Sequence, residues 1–584
     1  MTNLGAATTA GFKNIAADTV FGVAPVDAAA TATVAFDNVA EASTLNIVAG
    51  SAGVLNSVKV TGTVKDTSSD GIVAATNLNV TVGKDVETLS VNSGVKAALV
   101  VTDGAGTKDV STVDASASTG DLTYVAANTV ATVKTGAGAD TATIAFVGTA
   151  TANAAALSTG AGDDTLNVTV AQGAAAAVTA NIDAGAGKDT INLTINTGVT
   201  YTVAAGEGDD SVVVTGTIKT TDKIDGGAGT DTISLAAKAA YVADDYIVFN
   251  KVITNFETLK LTGATAVTDL DAKQLAATYT TVELNAGSAI KGVGSQAIIA
   301  NGAATVTADG YKAAADADPI TYAGTVAITE KVAGTVKVLA ETANVTVAAG
   351  SDNAPDANDL VLTGEAKTAT VVINNSTDTK GTTATTDDVL VVNSVSITNG
   401  TGADALKDLA TLTLSGNGTA TVVNANDTKL VTVDASALNS VGTDGKAATG
   451  LTYTSNNTAA ETIKLGAGLD VVTINASTYG KVDVITGLNL VASAADAKQV
   501  DIAKSDDLNV GAGGVFKAFT STQTDLDLLL KDAAASADNN LVFAFGGDTY
   551  VFVDAGSAGL IDAADTVVKL TGTVNLDLLI DVLA

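Results

Sequence analysis

Gly226-Gly227-Ala228-Gly229-Thr230-Asp231-Thr232-Ile233 closes a series of five similar segments, and that series decides the fold. Each segment carries Gly-x-Gly-x-Asp: Gly136 and Gly138 with Asp140, Gly160 and Gly162 with Asp164, Gly185 and Gly187 with Asp189, Gly206 and Gly208 with Asp210, Gly227 and Gly229 with Asp231. Successive aspartates are 24, 25, 21 and 21 residues apart. Behind each comes a short alternating stretch: DTATIAF, DTLNVTV, DTINLTI, DSVVVTG, DTISLAA. A tight turn that feeds a β-branched strand, repeated at the length of one coil, predicts a parallel β-solenoid. Coils stack at a rise of about 4.8 Å, so the five loops fall along one edge. Two outlying copies end at Asp404 and Asp470.

Carboxylates stacked at that spacing repel one another unless a cation lies between them. Glycine lets the loop bend so that carbonyl oxygens turn inward, and the aspartate brings charge. An all-oxygen donor set favours calcium over the transition metals. Asp183 and Asp225 are candidate additional ligands, since both sit in an Ile-Asp pair just ahead of the glycines; Asp163 and Asp209 are candidates too, although solvated loop charge also explains acids there. Gly and Asp are also the commonest residues of plain turns, and that reading stays open.

Composition removes most other chemistry. The 584 residues include no His, Cys, Trp or Arg, so all 30 basic residues are Lys. A Ser-His-Asp triad, a cysteine nucleophile and a His or Cys zinc site are therefore excluded. A net charge of −33 makes nucleic acid a poor partner, because phosphate binding needs clustered cations. AGAGKDT (184–190) lacks the spacing of a phosphate loop and leads into a strand. Acid pairs such as Asp269/Asp271 and Asp506/Asp507 have the residue type for glycoside cleavage. The 4% aromatic content argues against a sugar-binding cleft, and no enzyme is expected. The expected fold class is all-β: parallel β-solenoid segments, additional β-domains and few short helices. No apolar run approaches the roughly 20 residues of a membrane span, so no membrane insertion is expected.

The segment from Gly226 matches G-G-x-G-x-D-x-U-x in full, and those at Asp164 and Asp189 lack only the first glycine. In this they resemble the calcium-binding repeats of secreted Gram-negative RTX proteins. The resemblance implies calcium held between neighbouring coils by the aspartates and loop carbonyls. Family arrays run in nine-residue units with two motif edges per coil, whereas spacings of 21–25 imply one edge here. A longer repeat relates VSTVDASAS…DLTY…GAGAD (from Val110) to LVTVDASAL…GLTY…GAGLD (from Leu430), which places Asp140 and Asp470 in equivalent positions. Together with NFETLKLTG (255–263), these strings resemble RTX-type bacterial surface-layer proteins. The C-terminal stretch, ending Asp581-Val582-Leu583-Ala584, resembles the uncleaved signal of type I secretion, and no N-terminal secretory signal is visible. Leu576–Ala584 also reads as a final amphipathic helix or strand.

Five regions follow: 1–100, an N-terminal β-domain and candidate envelope anchor; 101–265, the calcium-binding solenoid; 266–429, a β-rich middle; 430–482, the second module; and 483–584, the C-terminal region with the export signal. Helices are predicted at Thr268–Thr278 and Thr522–Ser536. The resemblance implies an extracellular surface-layer subunit that assembles with copies of itself into a two-dimensional lattice. Its other partners would be the outer-membrane surface, through lipopolysaccharide, and the type I export machinery. The alternative is an RTX adhesin or biofilm-matrix protein that binds a surface glycan.

Overall fold

The computed structural model describes residues 2–583 apart from 5–7, 26–29, 50–52, 68–72, 105–106, 151, 175–176, 314–320, 348–358, 379–388, 401, 403–404, 426–427, 441–448, 491–506, 511–514 and 558. Strand makes up about 53% and helix about 6%, with long parallel sheets, so the fold is an all-β solenoid with few short helices. Two compact units are present: residues 1–236, 241–263 and 275–280 form one, and residues 237–240, 264–274 and 281–584 the other.

In the first unit each coil gives one strand to each of two parallel sheets. One is an eleven-stranded sheet that begins at Thr9–Lys13 and ends at Ile253–Thr254. In the other, Thr141, Thr165, Thr190, Ser211, Thr232 and Thr258 stand in one row across successive coils. Side chains alternate along a strand, so the next row points inward. It consists of Ala142, Leu166, Ile191, Val212, Ile233 and Leu259, each 0% exposed. Burying each larger aliphatic side chain contributes about 1.5–3 kcal/mol, which is why the alternation fixes the register.

The alternating N-terminal sequence belongs to the same stack. Thr76–Thr81 pairs with Ala97–Thr102, which pairs in turn with Leu122–Val125. Corners in this part use left-handed Asn14, Asp18, Asn38 and Asp85 in place of Gly-x-Gly-x-Asp. After Thr232–Ala236 the coil is enlarged by a short helix, Ala243–Ile247, continued by a π-turn, Val248–Val252. It tucks Tyr246 and Phe249 inside at a ring separation of 6.1 Å.

The second unit repeats the two-strand coil. Its own eleven-stranded sheet runs from Leu270–Asp271 to Asp507–Val510. The facing strands run from Thr281–Leu284 to Asp483–Thr486. The last of these pairs in parallel with Thr566–Leu570, and there the order changes. Thr566–Leu570, Asp548–Val553 and Asn540–Phe545 pair antiparallel. Helix Leu526–Ala534 packs Leu529, Leu530 and Ala533 into a core with Phe543, Tyr550 and Phe552. Its N-cap, Asp525, accepts the Leu528 N–H at 3.1 Å.

The helix expected within Thr522–Ser536 is therefore present, and Leu576–Leu583 is also helical. The helix expected at Thr268–Thr278 is not formed. Leu270 and Ala272 enter the solenoid interior from a two-residue strand and a single 3-10 turn, and Asp271 accepts the Lys273 N–H instead of starting a helix. Among the described residues no helix is long and apolar enough to cross a membrane.

Candidate metal centre: the aspartate ladder

The Gly-x-Gly-x-Asp loops form the corner at which the chain passes from one sheet of the first unit to the other. Glycine is required there for two reasons. Gly185 and Gly187 have φ of +105° and +138°, and a Cβ on them would lie 1.9 and 2.0 Å from the carbonyl oxygens of Gly160 and Gly162 one coil away. The corners thus stack backbone against backbone, leaving no room for a side chain.

This stacking aligns the aspartates as a ladder. The Asp140 N–H donates to Asp164 Oδ1 at 2.7 Å, that of Asp164 to Asp189 Oδ1 at 2.8 Å, that of Asp189 to Asp210 Oδ1 at 2.8 Å, and that of Asp210 to Asp231 Oδ1 at 2.8 Å. The Leu122 N–H caps one end on Asp140 Oδ1 at 2.7 Å, and Glu257 Oε2 receives the Asp231 N–H at the other, also at 2.7 Å. None of the five aspartates is more than 2% exposed.

One oxygen of each carboxylate therefore does structural work. The second differs along the ladder. Asp140 Oδ2 receives the Gly136 N–H at 3.2 Å, whereas Oδ2 of Asp164, Asp189, Asp210 and Asp231 is buried without a hydrogen-bond partner. Burial, reinforced by neighbouring acids, pushes Asp164 up to about 7 and Asp189 and Asp231 up to about 6. Asp140 and Asp210 are also raised, chiefly by burial. A row of buried carboxyl groups with no cation is costly when ionised.

The donor chemistry fits a hard cation: unpartnered carboxylate oxygens recur in consecutive coils. Among the described residues, however, no three acidic side chains converge on a point. Calcium would be held between successive aspartates, drawing the rest of its shell from backbone oxygens. It would supply positive charge to the ladder, and the chain's own residues would set its position.

The other candidates fall elsewhere. In the second unit, Asp470 is 1% exposed; it accepts the Leu451 N–H at 2.7 Å on Oδ1 and the Gly466 N–H at 3.1 Å on Oδ2. Asp140 makes the same pair of contacts with Leu122 and Gly136, so the two modules share a corner in detail. Asp114 and Asp434 match as well, each accepting both the N–H and the hydroxyl of the serine two residues on. Asp404 lies outside the described residues. Asp183 and Asp225 project from the outer face of the eleven-stranded sheet, Asp225 accepting the Asn255 amide at 2.7 Å; neither bonds to the ladder. Asp163 and Asp209 are rim residues that accept the N–H groups of Lys188 and Thr230 one coil further on, both at 2.8 Å.

Glu257 is a ladder member outside the Gly-x-Gly-x-Asp pattern, because its corner has no glycines. The available signal was Glu257-Thr258 followed by alternation, which copies Asp231-Thr232 and its strand. No family model matches this chain, and no curated protein matches it by sequence.

Proposed function

We propose that this chain is a structural subunit of a bacterial surface layer, exported by a type I route and assembled outside a Gram-negative cell in the presence of calcium. One observation carries the calcium element: four consecutive buried carboxylates each keep one oxygen without a partner. In a compartment poor in calcium, a chain of charge −33 with an uncompensated ladder stays loosely folded and exportable. Outside, an ion that binds only the folded coils stabilises them by mass action. It also lowers the negative charge that keeps subunits apart. Lateral contacts between copies would then form the lattice, and lipopolysaccharide is the proposed anchor. The long parallel sheets and the RTX-like corners support this reading.

Negative-stain images of chelated protein dialysed against calcium or magnesium test it. Ordered sheets in calcium alone are the expected result. Dispersed rods under every condition would overturn the lattice and favour the adhesin alternative.

A further inference from the structure

Glu461 and Asp483 lie on adjacent coils of the second unit and are 2% and 0% exposed. The Glu461 N–H donates to Asp483 Oδ1 at 2.7 Å, and the strands that follow them pair Thr462 with Val484. Glu461 Oε1 is crowded: it accepts from the Tyr453 hydroxyl at 2.8 Å, from Asn457 Nδ2 at 3.2 Å and from Asn424 Nδ2. Glu461 Oε2 and Asp483 Oδ2 are buried and accept nothing.

Among the described residues no counter-charge faces the pair. Lys464 is bound to Asp434, Lys429 to Asp408 and Lys569 to Asp548, while Lys481 is exposed. The Asp565 carboxylate, on the neighbouring C-terminal segment, is taken up by the N–H groups of Ala555, Gly556 and Asp562. From the other elements the pair meets Ser455, Tyr453, Asn424, Asn457 and Ser477, the last through a hydroxyl that receives the Asp483 N–H at 3.1 Å.

The fold does not require these acids. In the first module, register places Ala131 and Ala155 where the second has Glu461 and Asp483, and Ala126 stands at the position of Ser455. The ladder repeats a free carboxylate oxygen over four coils, whereas this pair offers only two, and a hard cation takes six to eight. Two suffice for one hydrogen.

We propose that Glu461 and Asp483 share a single proton between Oε2 and Oδ2. The acid–carboxylate pair forms a clasp that closes the seam between strands 462–464 and 483–486 in mild acid and loosens it as the proton leaves. Asp483 also stands in register with Val568, and Ser477 donates to the Val567 carbonyl at 2.6 Å, so the clasp borders the start of the C-terminal antiparallel segment. Burial pushes Asp483 up to about 7, with the Glu461 charge adding to it, and burial also raises Glu461. A raised carboxyl binds its proton more tightly when folded, so the stabilisation is complete below about pH 4 and is lost as pH rises toward 7. The proposal does not depend on the calcium reading.

Hydrogen exchange of the full chain, in saturating calcium and across pH, tests the clasp in wild type, Glu461→Gln and Asp483→Asn. Each amide supplies permanently the hydrogen that the pair otherwise borrows. Relative to Asp483→Asn, opening of amides 462–464 and 484–486 in wild type is expected to increase at least about tenfold between pH 4 and 7 and then level off. Infrared difference spectra, wild type minus each variant, should show a carboxylic-acid band that titrates over the same range, the ladder acids cancelling because both samples carry them. A difference that ignores pH, or an absent band, overturns the proposal. A difference that follows sodium, potassium or calcium concentration overturns it in favour of a bound cation.

Discussion

Asp189→Asn separates the two tasks of a ladder carboxylate. Oδ1 accepts the Asp164 N–H at 2.8 Å, a bond the amide oxygen of the variant preserves. The amide nitrogen takes the place of the unpartnered Oδ2 and removes its charge. Burial, with neighbouring acids adding to it, pushes Asp189 up to about 6. That is roughly two units above an ordinary carboxyl, and at about 1.4 kcal/mol per unit the ceiling on the cost of ionising it is about 3 kcal/mol. Because the folded state holds the proton more tightly, the penalty grows from about pH 4 and is complete above about pH 6. Allowing for relaxation around the charge, Asp189→Asn should stabilise chelated protein by about 1–3 kcal/mol at neutral pH. Asp189→Ala also removes the charge but strands a buried N–H, which costs about 1–3 kcal/mol, so it should be clearly less stable than the amide variant. Added calcium should raise the stability of wild type more than that of either variant. Urea unfolding followed by circular dichroism, with and without chelator, gives all six values. Equal destabilisation by Asp189→Asn in chelator and in calcium would show that Oδ2 already has a favourable partner, and the reasoning from unpaired charge would fail.

Chelated wild type should lose stability as pH rises from about 4 to about 7, since Asp164, Asp189 and Asp231 are all shifted upward, and saturating calcium should flatten that profile; thermal melts across pH measure both. Gly187→Ala meets both a forbidden φ and a carbonyl 2.0 Å away, so it should cost at least about 3 kcal/mol in denaturant titrations. Gly480→Ala meets only the φ penalty, with nothing within 4 Å, and should cost about 1 kcal/mol. Glu257→Ala should destabilise by about 1–3 kcal/mol through the stranded Asp231 N–H, whereas Glu257→Gln should be nearly neutral in the same assay.

The spacings of 24, 25, 21 and 21 between motif aspartates are the sequence separations of the ladder hydrogen bonds, so coil length could be counted directly from the chain. The equivalence of Asp140 and Asp470 was legible for the same reason, since a shared string implies a shared corner. What the letters did not reveal was direction. A carboxylate in a polar glycine loop suggests an outward-facing ligand, yet stacking of the glycine carbonyls turns each aspartate inward onto the backbone N–H of the preceding coil. Coils before residue 100 were visible only as alternation, because their left-handed corners at Asn14, Asp18, Asn38 and Asp85 carry no common sequence motif. The segment at 268–278 misled because Ala272 and Leu275, with Tyr279 just beyond, fit a helical face as well as they fit the interior of a narrow coil. The Glu461–Asp483 pair could not be recognised from sequence, since only parallel register brings residues 22 apart into contact.

The most direct test of the central claim is a calcium titration of the chelated full chain, with magnesium as control, that follows the unfolding midpoint and then images the same samples. Calcium is expected to raise the midpoint and to precede the appearance of ordered sheets, with magnesium doing neither. A chain that is fully folded, equally stable and dispersed with and without calcium would contradict it, leaving the ladder as a purely structural device for stacking coils.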